Sequence, residues 1–215
     1  MRRLLLAAAL LLAAAAQAQT QTQQRPTAVD TPLVAAPRDA RSLAWAAALQ
    51  PIRVARAATA TTADIRLYTP DGEVDESARA SFEEVVAGDA QPHPLAPRLA
   101  QLVFKAAYHF ANARVVVVSG WRDRAGRHTT GEALDFKLEG VHAAQLAAWL
   151  RGLPRVGVGV YTHPRTQYVH LDVRDTSYHW IDGSPPGVTW REKQLRDPGQ
   201  TKRDAVWTPE ADLPL

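Results

Sequence analysis

WRDRAGRHTTGEALD, Trp121 to Asp135, is the stretch on which the reading of this chain turns. It ends on an aspartate, Asp135, seven positions after its one histidine, His128. Its end runs into a strand predicted over Glu132–Leu138, with Leu134, Phe136 and Leu138 on one face. Alternation puts Ala133 and Asp135 on the other face. A carboxylate beside a small alanine, with an imidazole arriving from the preceding loop, leaves room for an ion between them.

A second stretch supplies a third ligand. YVHLDV, Tyr168 to Val173, alternates as a strand does. Val169, Leu171 and Val173 point one way, and Tyr168, His170 and Asp172 the other. If this strand lies near Glu132–Leu138 in one sheet, His170 and Asp135 share a polar face. Two histidines and a carboxylate suit zinc, and three protein ligands leave a fourth position for water.

Composition narrows the classes. The net charge of +3 includes Arg2 and Arg3; without them the excess falls to about +1, too little concentrated basic charge for nucleic acid. The chain has no cysteine. Disulfides, thiolate metal sites and cysteine nucleophiles are therefore excluded, and an oxidising compartment is compatible. Met1–Ala18 has two arginines, a short Leu/Ala run and Ala16-Gln17-Ala18, the pattern of a secretory signal peptide cleaved after Ala18. The apolar run is too short to span a bilayer. The expected location is periplasmic or secreted, with no membrane span after cleavage.

Residues 19–62, rich in Gln, Thr, Ala and Pro, read as a low-complexity linker. Arg41–Leu49 could form a short helix whose Trp45 seeks a groove, or be a spacer. The folded domain is expected over residues 63–195. Ile65–Thr69 reads as a strand and Pro70-Asp71-Gly72 as a turn. Ser77–Ala87 and Ala96–Ala111 read as amphipathic helices. Arg114–Ser119 reads as a strand buried on both faces, Val141–Leu153 as a helix. Val156–Tyr161 reads as a strand whose glycines share one face, as if something approaches closely. The stretch TSYHWIDGSPPGVTW, 176–190, reads as irregular, with Trp180 and Trp190 as plugs, and residues 196–215 as a loose tail.

The set SGWR (Ser119–Arg122), HTTGEALDF (His128–Phe136), GVGVY (Gly157–Tyr161) and YVHLD (Tyr168–Asp172) resembles the M15-type zinc peptidases. These include D-alanyl-D-alanine carboxypeptidases and murein endopeptidases. The nearest likeness is to the DUF882 branch, which carries SGYR, HxxGxAxD, a glycine-rich strand and FVHxD. IRLYTPDGE (Ile65–Glu73) also looks like that branch. The resemblance implies an α+β fold of the M15/Hedgehog type. A mainly antiparallel sheet with helices on one side is the expectation. It implies zinc ligands at His128, Asp135 and His170, and Arg122 gripping a substrate carboxylate or carbonyl. Trp121 and Tyr168 are further substrate-binding candidates.

The general base is less clear. The carboxypeptidases of this family carry a Glu three residues before the last histidine, where Gln167 stands. Its endopeptidases carry a histidine two before it, where Tyr168 stands. Asp172 shares a strand face with His170 and is the first candidate; its alternative role is to orient an imidazole. His163 and His179 follow. The expected function is a zinc-dependent hydrolase of peptidoglycan peptides, acting as a monomer. The alternatives are a non-catalytic domain binding cell-wall peptide, and an envelope protein whose polar cluster holds no metal.

Overall fold

The computed structural model describes residues 28–123, 125–188 and 192–214. The expected signal peptide, the first part of the expected linker and Trp190 lie outside them. Asp39 opens helix α1 (Ala40–Ala48), its carboxylate accepting the Arg41 and Ser42 N–H groups at 3.0 Å each. A hairpin of β1 (Ile52–Arg56) and β2 (Thr62–Ile65) follows, then α2 (Glu76–Ala87) and α3 (Pro97–His109). The remaining elements are β3 (Val115–Ser119), β4 (Ala133–Leu138), α4 (Ala143–Leu150), β5 (Val156–Tyr161), β6 (Tyr168–Val173), β7 (Tyr178–Asp182), β8 (Lys193–Gln194), α5 (Gln200–Ala205) and a 3-10 turn (Pro209–Asp212).

The class is α+β, but the sheet is mixed and not mainly antiparallel. Its order is β2-β1-β3-β4-β6-β5-β7-β8, with β1 parallel to β3 and β5 parallel to β7. The connections explain both pairs. Two helices separate the first hairpin from β3, a crossover long enough to return the chain in the direction of β1. Residues 174–177 carry the chain past the start of β5, so β7 joins the free edge of β5 running the same way.

One layer of apolar side chains fixes the centre of the sheet. Leu134, Phe136 and Leu138 of β4 and Val169, Leu171 and Val173 of β6 join Phe82, Leu99, Leu102, Val103 and Phe104 from the helices in one buried cluster. This leaves Asp135 and His170 on the opposite face, directly paired across the two strands. A slip of one residue would push both into the apolar layer, where unpaired polar groups are costly. The hydrophobic face therefore sets the register of the polar one.

Other sequence expectations are corrected as well. The linker reading fails from residue 28 onward: Ala28 is buried, its N–H donating to Asp175 at 2.8 Å, and Ile52 and Val54 are fully buried in β1. Alternation of Ile52 and Val54 is a strand signal that the surrounding Ala and Thr obscure. The strand sought at Ile65–Thr69 lies earlier, at β2, although Leu67 and Tyr68 remain core residues. The supposedly irregular stretch contains β7, whose Trp180 packs on the sheet. The tail is integral. Arg98, on α3 and fully buried, pairs with Asp212 at 2.7 Å, and Trp207 Nε1 donates to the same carboxylate at 3.0 Å.

In β3, Val115 and Val117 are buried while Val116 and Val118 are only half-buried, so it is not sealed on both faces as expected. The open alternative over Arg41–Leu49 resolves as helix, with Trp45 set edge-on against Tyr68 at 5.4 Å.

Candidate metal centre

The site is built on one cross-strand row: Asp135 on β4, His170 on β6, Gly159 on β5 and Trp180 on β7. The glycines of VGVGVY are explained by this row and the next. A Cβ on Gly159 would overlap the Trp180 indole, and one on Gly157 the Asp172 carboxylate. The loop before β4 delivers His128. Gly131 turns that loop at φ +73°, and a side chain there would strike the Pro94 carbonyl, so the glycine of HxxG meets both requirements.

Hydrogen bonds fix which nitrogen of each imidazole faces inward. His128 Nδ1 lies 2.6 Å from the Gly120 carbonyl, which can only accept, so Nδ1 carries the proton. His170 Nε2 lies 3.0 Å from Asp172 Oδ2 and donates to it. The free lone pairs of His128 Nε2 and His170 Nδ1 then face each other at 3.2 Å. Asp135 Oδ1 stands 2.9 Å from His170 Nδ1 and 3.5 Å from His128 Nε2. With a neutral His170 ring these three acceptors converge without a donor between them and repel one another, and a cation between them removes the conflict. Ligands about 2.0–2.1 Å from a tetrahedral ion lie about 3.3–3.4 Å apart, a spacing that these separations of 2.9–3.5 Å bracket. His128, Asp135 and His170, all buried, form a group that could hold a metal ion.

Electrostatics point the same way. Burial first, then His170 and Arg122, push the His128 pKa down to about 3, so its imidazole is neutral and able to ligate. Burial works to raise Asp172, but hydrogen bonds from His170 and Arg174 outweigh it, and its carboxyl sits below the ordinary range.

The site residues expected from sequence divide into those brought together and those not. Arg122 comes to the cluster: Nε donates to Ser119 Oγ at 2.9 Å and Nη2 contacts the second oxygen of Asp135. It is half-exposed and lines a cleft of about 500 Å³ above the ligands. Tyr168 also lines this cleft, stacked on Tyr161 with ring centroids 4.3 Å apart. Trp121 does not; it stacks on His93 at 4.2 Å beside a separate small pocket.

Asp172 is fully buried behind His170, held by Arg174 and Arg127. This places it at the nitrogen pointing away from the cluster, in the orienting role and out of reach of a reacting water. Gln167 donates to the Thr162 carbonyl at 2.8 Å, and His163 accepts the Arg165 N–H. His179 is buried on the helix-facing side of β7.

Sequence reading missed Tyr161, Trp180, Asp182 and Glu192, all of which line the cleft. Alternation in YHWID could have put Trp180 and Asp182 on one face. Nothing local marks Glu192, because only the pairing of β8 with β7 brings it over the site. The arrangement can bind a metal, hold an anionic or carbonyl group at Arg122, and admit a chain segment from solvent. No helix among the described residues is long and apolar enough to cross a membrane. No protein-family model, curated protein or solved structure matches the chain.

Proposed function

We propose that the chain is a zinc-dependent peptidase that hydrolyses peptide bonds in peptidoglycan, outside the cytoplasmic membrane. The observation that carries this reading is the convergence of His128 Nε2, Asp135 Oδ1 and His170 Nδ1 at the floor of an open cleft. Such a three-ligand set leaves a position for water or substrate, which a closed structural site lacks. The choice of zinc follows from two imidazoles and one carboxylate whose facing atoms lie 2.9–3.5 Å apart. The choice of peptidoglycan follows from the resemblance that the SGWR, HTTGEALD and YVHLD motifs bear to the M15-type peptidases, and from the secretory pattern at the N-terminus.

When bound, zinc would acidify a water and polarise the scissile carbonyl. The protein's own residues have separate tasks. Gly120 and Asp172 fix the two imidazoles through their outer nitrogens. Arg122 offers its fork to a substrate carboxylate or carbonyl at the cleft wall. The stacked Tyr161 and Tyr168 give that wall a flat aromatic surface. Burial, followed by Tyr168, raises the Tyr161 pKa to about 12, so its hydroxyl stays protonated and able to donate.

A non-catalytic domain that binds cell-wall peptide is the second reading, favoured by Gln167 at the position where the M15-type carboxypeptidases carry a glutamate. One experiment separates them. Purified protein is assayed for zinc by elemental analysis and for cleavage of a muropeptide digest. The peptidase reading expects about one zinc per chain, cleavage that chelator removes and zinc restores, and loss of both metal and cleavage in His128→Ala. Stoichiometric zinc with capture on peptidoglycan but no cleavage of any preparation would decide for the binding domain.

A further inference from the structure

The residues expected to move the proton are each committed elsewhere: Asp172 behind His170, His163 to the Arg165 N–H, His179 beneath the sheet. Besides the ligand set, the carboxylates lining the cleft among the described residues are Asp182 and Glu192. Asp182 is buried, and its Oδ1 accepts the Ser184 N–H at 2.7 Å, which ties it to the turn after β7.

Glu192 is placed by strand register. In the β7–β8 pair, Trp180 opposes Gln194 and Ile181 opposes Lys193. Continuing one residue sets Glu192 opposite Asp182. Alternation then puts it on the face of Gln194 and Trp180, which is the face of the metal ligands. Glu192 is exposed, lines the same cleft as His128 and His170, and makes no ion pair among the described residues. Glu132, by contrast, is paired with Arg127.

We propose that Glu192 is the general base of this cleft, supplied from the edge strand and not from the motif strands. The inference rests on the peptidase reading above. Glu192 takes one proton from the water that attacks the scissile carbonyl carbon. The C–O bond forms, the C–N bond breaks, and the same proton passes to the leaving nitrogen. The carboxylate is regenerated, and one water is consumed for each peptide bond. Its surroundings suit the task. Partial loss of water at the cleft wall pushes its carboxyl above the ordinary range; His170 pulls the other way, and Asp182 adds to the rise. A more basic carboxylate holds the transferred proton better near neutral pH.

The test uses the zinc-loaded full chain, with Glu192→Gln and Glu192→Asp. Glu192→Gln is expected to keep one zinc per chain by elemental analysis and to bind muropeptide by calorimetry. Its kcat should fall by about 10²–10⁴-fold, with Glu192→Asp between it and wild type. A Glu192→Gln variant whose kcat stays within about threefold of wild type overturns the assignment, as does one that loses muropeptide binding with kcat unchanged. A wild-type chain that holds zinc, binds muropeptide and cleaves nothing removes the peptidase reading itself, and this base with it. That outcome is recognisable without either variant.

Discussion

Asp172 holds His170 by the nitrogen facing away from the ligand cluster, with Oδ2 3.0 Å from Nε2. Arg174 in turn grips the same carboxylate, its Nε donating at 2.6 Å. The ring can therefore offer only Nδ1 to an ion, already aimed. Asp172→Asn keeps an acceptor oxygen but loses the charge that Arg174 and Arg127 fix. Zinc affinity is expected to fall by about 10–100-fold, read by competition with a chromophoric chelator. Unchanged affinity would mean that the His170 ring is oriented by packing against Trp180 alone.

Gly159 is a packing requirement of the site. Its missing side chain leaves the space that the Trp180 indole fills, and that indole packs 4.9 Å from the His170 ring. Gly159→Ala is expected to displace Trp180 and to destabilise the fold by about 1–3 kcal/mol. Urea unfolding gives the energy, and tryptophan emission reports the displacement. A variant with wild-type stability and an unchanged spectrum would refute this account.

His179 makes stability depend on pH through a group remote from the cleft. It is fully buried, with Asp197 3.7 Å away. Burial, then Arg151, push its pKa down from 6.5 to about 4, while Asp197 acts in the opposite sense. The folded value lies below the unfolded one, so the unfolded chain binds more protons between them. The stability is present above about pH 6.5 and is lost as pH falls toward about 4, by up to about 3 kcal/mol. Urea midpoints across that window should fall less steeply in His179→Gln than in the wild type. Equal slopes would place the titration elsewhere.

The C-terminal segment is part of the core. Arg98 is fully buried and depends on Asp212, with the Pro154 and Arg155 carbonyls completing its hydrogen bonds. The Trp207 ring lies 4.9 Å from its guanidinium carbon. Asp212→Ala leaves a buried guanidinium without its counter-charge. The expected cost is about 3–5 kcal/mol, measured by urea or thermal unfolding. A loss under about 1 kcal/mol, the range of an exposed pair, would show that water reaches Arg98.

The parts of this molecule that were legible in sequence are those with strong local signals. Leu134/Phe136/Leu138 and Val169/Leu171/Val173 alternate cleanly, so β4 and β6 were read with their faces correct. The valine and glycine alternation of β5 implied a close approach, which Asp172 and Trp180 make. Signals failed where stability comes from partners far along the chain. β1 is short and charged at Arg53, and it is a strand because β3 and α2 cover it. The tail has little apolar periodicity; Asp212 is drawn in by an arginine 114 positions away.

The chain by itself determined the face that Asp135 and His170 share, because period-two alternation of apolar side chains leaves them one side on which to stand. Only the tertiary structure decided that Asp172 stands behind His170, that Trp121 turns away from the cleft, and that Glu192 comes over it from the edge of the sheet. Those placements depend on strand order and register between distant segments, which the burial of a shared core selects and no local pattern encodes.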